Sequence, residues 1–179
     1  MNVDIRDINR EELNHELFNS FIRHQTVTKC VRKVDEQWVE KNIEFIDDWS
    51  SKDYDVLIKS LLNTIITNGL VIGAFIDNKL KGFASVESTK IGSRKQYLDL
   101  SYFYVSEDMR RKGIGKLLFE HVKQWAIQHN AEKLYMSSHS AVETQYFYKA
   151  MGCTDAEELI QKHVEAEPCD RQLECKLQP

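Results

Sequence analysis

No apolar run in the 179-residue chain approaches the ~20 residues of a membrane-spanning helix, so nothing in it reads as a membrane segment. Basic residues are not in excess either: 24 Lys and Arg stand against 28 Asp and Glu, a net charge of −4. A general nucleic-acid binder would be basic; this balance suits a cationic partner better. Four cysteines (Cys30, Cys153, Cys169, Cys175) include no Cys-x-x-Cys pair. None of the six histidines falls in a His-Glu-x-x-His pattern or joins a cysteine at ligand spacing, so no metal is expected. The opening stretch MNVDIRDINREEL is polar and acidic, without signal-peptide character. Free thiols and a cytoplasmic location are the expectation. Internal repeats, low-complexity tracts and linkers are absent from the sequence, so residues 1–179 read as one domain. Hydrophobic residues at 42% and charged residues at 29% give a globular profile.

What the chain does have is a glycine-spaced basic stretch, Arg110-Arg111-Lys112-Gly113-Ile114-Gly115-Lys116. Before it, Tyr97 to Val105 (YLDLSYFYV) reads as a buried strand, and after it Lys116 to His129 is amphipathic. The glycines thus fall where a strand turns into a helix. The first amides of a helix have no partner within it, and the dipole places partial positive charge there. Glycines let an anion approach the backbone. The loop is no Walker loop, because no Gly-Lys-Ser/Thr follows at the required spacing, and the third glycine of the dinucleotide fingerprint is missing. An idle, solvated helix start is the plain alternative.

In chain order, Val3 to Ile8 alternates as a first strand, and Asn9 caps a helix whose face carries Leu13, Leu17, Phe18 and Phe21. Thr26 to Val34 is β-branched and extended. Asp35 caps a second helix carrying Trp38, Val39, Ile43, Phe45 and Ile46; Asp47 to Asp55 is a polar turn; Asp55 to Asn68 is again helical. Leu70–Ile76 and Leu80–Ser88, joined by Asp77-Asn78-Lys79, form a hairpin. The helix after the glycines buries Ile114, Leu117, Leu118, His121, Val122 and Trp125. Ala131 to Ser138 is a strand, Glu143 to Met151 a helix stopped by Gly152, and Asp170 to Leu177 a last strand with Cys153 to Leu159 as its partner. Strand, helix, strand around the glycine loop demands a parallel pair, whereas the hairpin demands an antiparallel one, so the sheet is mixed.

Arg-x-x-Gly-x-Gly after the strand-ending Val105 resembles the pyrophosphate loop of the GNAT acetyltransferases, which bind acetyl-coenzyme A. A second stretch, Phe147-Tyr148-Lys149-Ala150-Met151-Gly152, resembles the helix that packs beside the pantetheine arm in that family. Two departures stand out. The asparagine that commonly opens this helix is Ala141 here, with Ser140 just before it as a replacement contact. The phenylalanine that usually follows the glycine is Cys153. The resemblance covers roughly residues 69–177. It implies an α+β, GNAT-like acyl-CoA N-acyltransferase fold: a central mixed, mostly antiparallel sheet flanked by helices. Residues 69–177 would be the cofactor-binding core, and residues 1–68 would supply a strand and acceptor-side helices.

The resemblance further implies acetyl-CoA as cosubstrate, with Arg110, Arg111, Lys112, Gly113, Ile114, Gly115 and Lys116 around its pyrophosphate. Backbone groups at a bulge near Phe103, Tyr104 and Val105 would hold the oxyanion. Tyr148 would lie near the thioester sulfur. A thiol at pKa ~8.5 facing a phenol at ~10 makes full proton transfer uphill by about 2 kcal/mol, so Tyr148 acts as a hydrogen-bond donor. The acceptor amine must lose a proton from an ammonium near pKa ~10.4, which costs roughly 4–5 kcal/mol at neutral pH. For that step Asp99 falls where histone acetyltransferases of this superfamily carry a glutamate, and Glu87 is the competing base. Asp99 lies between Leu98 and Leu100 in a central strand, so its polarity needs a reason. The expected acceptor is a primary amine of a small cationic molecule. A protein lysine or peptide N-terminus, and a non-catalytic acyl-CoA-binding regulator, are the alternatives. Nucleic acid and membrane are not expected partners; a homodimer is left open.

Overall fold

The computed structural model describes residues 2–177. Strand β1 (Asp4–Asp7) leads through two 3-10 turns, Arg10–Glu12 and His15–Phe18, into a hairpin of β2 (His24–Val34) and β3 (Gln37–Asp48). Helix α1 (Ser51–Ile66) is followed by β4 (Leu70–Ile76), β5 (Lys79–Val86) and β6 (Tyr97–Val105). Then come α2 (Ile114–Gln128), β7 (Lys133–Ser138), α3 (Val142–Ala150), β8 (Thr154–Asp155), α4 (Gln161–Ala166) and β9 (Arg171–Lys176). Seven strands form one sheet in the order β1-β4-β5-β6-β7-β9-β8, and β2–β3 stands apart. Strands β6 and β7 are parallel and the other pairs antiparallel. The fold is therefore α+β, with a mixed, mostly antiparallel sheet flanked by helices.

Every residue of β4 is buried, as expected of a strand covered on both faces. The β4–β5 hairpin turns on Asp77 and Asn78, at φ 50° and 60°, the left-handed pair that matches strand twist. On one face of the sheet, α2 inserts Leu118, Phe119, Val122 and Ala126 against Leu98, Leu100, Leu134 and Met136. Leu57 and Leu61 of α1, with Phe18 and Phe21, pack on the other face against Val71 and Phe83. Burying each such side chain contributes ~1.5–3 kcal/mol. Among the described residues no helix is long and apolar enough to cross a membrane.

The N-terminal third departs most from expectation. Asp35 caps no helix: Asp35 and Glu36, at φ 46° and 63°, form the tight turn of a hairpin, and β3 pairs with β2 at ten positions. Trp38, Val39, Ile43, Phe45 and Ile46 fit a helical spacing, but their β-branched and aromatic character wins once β2 offers a partner. The expected first helix is two separate 3-10 turns. Asn9 does form a capping box with Glu12, and Asn14 restarts the chain by accepting from Leu17 N at 3.2 Å. Helix α1 begins at a Ser50–Asp53 capping box, inside the stretch expected to be a turn. On α2, His121 is exposed, with Nδ1 at 2.9 Å from Leu117 O, and Leu117 is also exposed. Helix α4 had no counterpart in the sequence reading.

Candidate active site

Strands β6 and β7 pair only at Tyr97↔Lys133, Leu98↔Leu134 and Asp99↔Tyr135. Beyond Asp99 the pairing stops, and among the described residues the β7-facing edge of β6 has no strand partner through Val105. This fork exposes backbone donors and acceptors that a ligand can take. One register shift shapes it. Tyr102 pairs with Ser85 and Leu100 with Val86, so Ser101 is the extra residue. The bulge thus lies at Ser101, not at Phe103 to Val105 as expected. It re-aims the strand: Leu98 and Leu100 face α2, and so does Phe103, whereas Tyr102 and Tyr104 face the α1 side.

At the mouth of the fork the chain makes a 3-10 turn, Glu107–Met109, and passes Arg111 (φ 60°) and Gly113 (φ 83°) into α2. Leu117 N donates to Gly113 O at 3.1 Å. The amides of residues 111 to 116 donate to no described protein group. This row of free N–H groups at a helix start is an anion cradle. Arg110 is tied by Nε to Val105 O at 3.2 Å, and desolvation draws its pKa below the usual guanidinium value. Lys112 bonds Asp108 O at 2.8 Å. Gly115 lies against α3, where an added Cβ would meet the Phe147 ring at 3.1 Å, so α2 and α3 meet closely there. At Gly113 an added Cβ would meet no protein atom within 4 Å, and its positive φ is what calls for glycine. Gly113→Ala should cost ~1–2 kcal/mol through the left-handed backbone and weaken acetyl-CoA severalfold by calorimetry. Unchanged affinity in the folded variant would place the phosphates elsewhere.

Tyr148 is 6% exposed and packs on Phe103 and Phe119 at ring distances of 6.3 and 6.1 Å. Its hydroxyl makes no hydrogen bond to a described residue, and burial, reinforced by Cys153, Tyr104 and Asp170, raises its pKa far above the phenol range. It therefore remains a neutral O–H donor. Phe103, on the α2 face, stacks on Phe147 at 5.3 Å. Tyr104, on the other face, lies edge-on to Trp49 at 4.7 Å, and burial pushes its pKa up to about 12. Ser140 is buried, and its hydroxyl accepts from Arg32 Nη1 at 2.8 Å while its carbonyl accepts from Val31 N at 2.8 Å. Its hydroxyl thus anchors the β2–β3 hairpin to the start of α3.

Asp99 and Glu87 meet on the face opposite α2, joined through Glu87 N and Asp99 O at 2.9 Å. The Glu87 carboxylate accepts from Thr64 and Ser101 hydroxyls, each at 2.8 Å. Asp99 Oδ2 forms an ion pair with His163 Nε2 at 2.9 Å, whereas Oδ1 is buried without a partner among the described residues. Other residues here escaped the sequence reading. Arg23, its side chain 6% exposed, pairs with the Asp47 carboxylate and lies over Trp49 and Tyr104 at 4.9 Å each. Asp170, bonded by Ser137 at 3.2 Å, is raised by desolvation. No local pattern marks either; tertiary folding alone brings them to the fork.

The chain belongs to the Acetyltransferase (GNAT) family, whose sequence model matches residues 34–153. No curated protein matches the sequence. Among solved structures, a nourseothricin acetyltransferase aligns at TM-score 0.70 with 12% identity, covering 99% of this chain and 100% of that one. A protein of Bacillus anthracis str. Ames, provisionally assigned as a streptothricin acetyltransferase and bound to acetyl coenzyme A, aligns at TM-score 0.70 with 16% identity over 97% and 96%. The PaiA N-acetyltransferase of Thermoplasma acidophilum, bound to coenzyme A, aligns at TM-score 0.61 with 17% identity over 98% and 99%. Acetyl-CoA-dependent acyl transfer is the activity of the family. The open edge of β6 and the free amides of the glycine loop suit the amide-rich arm and the pyrophosphate of that cosubstrate.

Proposed function

We propose that the protein transfers the acetyl group of acetyl-CoA to a primary amine of a small, cationic molecule by direct attack. Acetyl-CoA supplies the activated acyl group. The chain's own residues cradle the pyrophosphate at 110–116, offer β6 backbone N–H groups to the carbonyl oxygen, and place the Tyr148 hydroxyl for the departing sulfur.

The observation that carries the acceptor class is how the far face of the fork is bounded. His163 closes it at Asp99, and the Arg23–Asp47 pair closes it at Tyr104. Four residues lie between those ends, one of them the Ser101 bulge, so the span is roughly 13 Å at ~3.3 Å per paired position. A stretch of that length, with Glu87 and Asp99 at one end, suits a compact cation better than an extended basic tail. The net charge of −4 would concentrate cations nearby, over a screening length of ~8–10 Å. Two structural neighbours carry nourseothricin and streptothricin in their names, which makes those compounds natural first acceptors to try.

Thiol release should be followed with polyamines, aminoglycosides, streptothricins, amino acids and lysine peptides at two salt concentrations. Turnover should be highest with small cations and fall with salt. Turnover confined to lysine peptides, or to neutral amines without a salt effect, would overturn the acceptor class. Binding of acetyl-CoA with no thiol release from any amine would favour a non-catalytic regulator.

A further inference from the structure

We infer that His163 is the base that takes the acceptor's proton, with Asp99 as its positioning residue; this rests on the reading of the protein as an amine acetyltransferase. Asp99 sits at the last paired position before the fork opens, on the face away from Tyr148. Its side chain is 12% exposed, and one carboxylate oxygen has no partner among the described residues. A buried carboxylate so placed is costly unless something uses it. What the structure sets against it is the His163 ring, Nε2 to Oδ2 at 2.9 Å. The same ring stacks on Tyr135, centroids 5.5 Å apart and planes 30° apart. Tyr135 is fixed in turn: its hydroxyl donates to Gln172 Oε1 at 2.7 Å and accepts from Ile160 N, just ahead of α4, at 3.1 Å. The imidazole is therefore held by an ion-pairing partner, a ring platform and an anchored helix start.

This is the arrangement of an oriented base. With the neutral ring's proton on Nε2, facing Asp99 Oδ2, Nδ1 would carry the lone pair, and no described protein group engages it. The His163 side chain is 23% exposed, so the ring is partly open to solvent. The hydrogen bond to Asp99 raises the His163 pKa above its usual 6.5, against desolvation and the nearby Lys162. The charged and titratable groups around the ring are Asp99 on β6, Tyr135 on β7 and Lys162 on α4. Glu158 lies near Tyr135, and the Tyr97–Glu174–Lys133 cluster lies one ring further on. Among the described residues, Asp99 is the only carboxylate paired with His163.

The proton balance is direct. Nδ1 takes one proton from the substrate ammonium, giving a neutral amine and an imidazolium beside the Asp99 carboxylate. The amine nitrogen forms its bond to the acetyl carbon, the carbon–sulfur bond breaks, and its electron pair leaves with sulfur. The nitrogen sheds its remaining excess proton to solvent, the thiolate takes a proton from solvent to give the free thiol, and the imidazolium returns its proton to water. The net reaction is amine plus thioester to amide plus thiol.

The test is the pH profile of kcat/KM with the best acceptor of the panel, for wild type, His163→Gln and Asp99→Asn. Wild type should show an ascending limb with its midpoint above 6.5, well below the ammonium's own titration near ~10.4. His163→Gln should lose that limb and fall on the order of 10²-fold or more in kcat. Asp99→Asn should move the limb to lower pH, because the carboxylate that raises the imidazole pKa is gone. NMR titration of the His163 ring should give the same midpoint without any turnover. Calorimetry on each variant should show unchanged acetyl-CoA affinity, which establishes a folded protein. If His163→Gln keeps the limb and most of its kcat, His163 is not the base, while wild-type thiol release still supports the acetyltransferase reading. If the wild type turns over no amine, that reading fails instead, and the NMR midpoint reports only a structural ion pair.

Discussion

Tyr148→Phe will bind acetyl-CoA as wild type does and lose ~10–10³-fold in kcat, the range of a single acid or oxyanion donor. The ring stays, so packing on Phe103, Phe119 and Phe147 survives. Only a hydroxyl that no described residue engages is removed. Burial already holds its pKa far above ordinary phenol, so the group cannot serve as a base at neutral pH and can only donate. The loss should therefore appear in kcat more than in KM. Donating to sulfur matters most for poor leaving thiols, so the deficit should shrink with a more acidic acyl thiol. A Tyr148→Phe enzyme with wild-type kcat would remove the residue from the mechanism.

Lys133→Met will destabilise the fold by ~3–5 kcal/mol, because it strands a buried charge. Lys133 Nζ donates to Glu174 Oε1 and Glu157 Oε2, each at 2.7 Å, and Tyr97 donates to Glu174 Oε2 at 2.6 Å. The Glu174 side chain is 1% exposed and that of Lys133 is 9%. For a domain of this size the loss should lower Tm by ~6–20 °C. The double variant with Glu174→Gln should recover much of it, since no buried charge is then left alone. Desolvation pushes Glu174 up, but its bonds from Lys133 and Tyr97 outweigh that and leave its pKa below 4.5. Its contribution is thus present above pH 4.5 and lost as pH falls through the lower folded value. Lys133, lowered by desolvation but raised more by its two carboxylates, stands at about 12 against 10.5, so its share is lost only as pH rises through about 12. Denaturant melts across pH should show a plateau between these limits that Lys133→Met removes.

The β4-to-α2 region was legible because local chemistry specifies it. Asp77-Asn78 can adopt only a few turns, Tyr97 to Val105 is too apolar for an edge, and Gly113 meets a positive φ that other residues resist. Helix α3 was legible for the same reason: Gly152 ends it at φ 83°, with Cys153 N returning to Tyr148 O at 3.0 Å. The β2–β3 hairpin was not. Its turn uses left-handed Asp35 and Glu36 without a glycine, and its apolar spacing satisfies both periods. Helix α4 is one and a half turns of mostly polar residues, below what periodicity resolves. The site divides the same way. The phosphate loop is contiguous and readable. Asp99 was singled out as a polar residue in an apolar strand, but its partner His163 lies far along the chain and carries no motif. Arg23, Asp47 and Asp170 likewise meet the fork only through tertiary folding.

The short parallel pairing of β6 and β7 has a mechanical consequence. Three residue pairs join the block β1-β4-β5-β6 to the block β7-β9-β8, whereas β4 and β5 meet at seven. Cohesion between the two blocks is low along the fork, the line proposed for the ligand, and α2 is the clasp that touches strands on both sides. A ligand bonded across that seam ties the two blocks into one cooperative unit, adding ~2.7 kcal/mol at a hundredfold excess over Kd. On the proposed site, the free protein is the more compliant form, and a ligand held there would complete the sheet's tensile continuity.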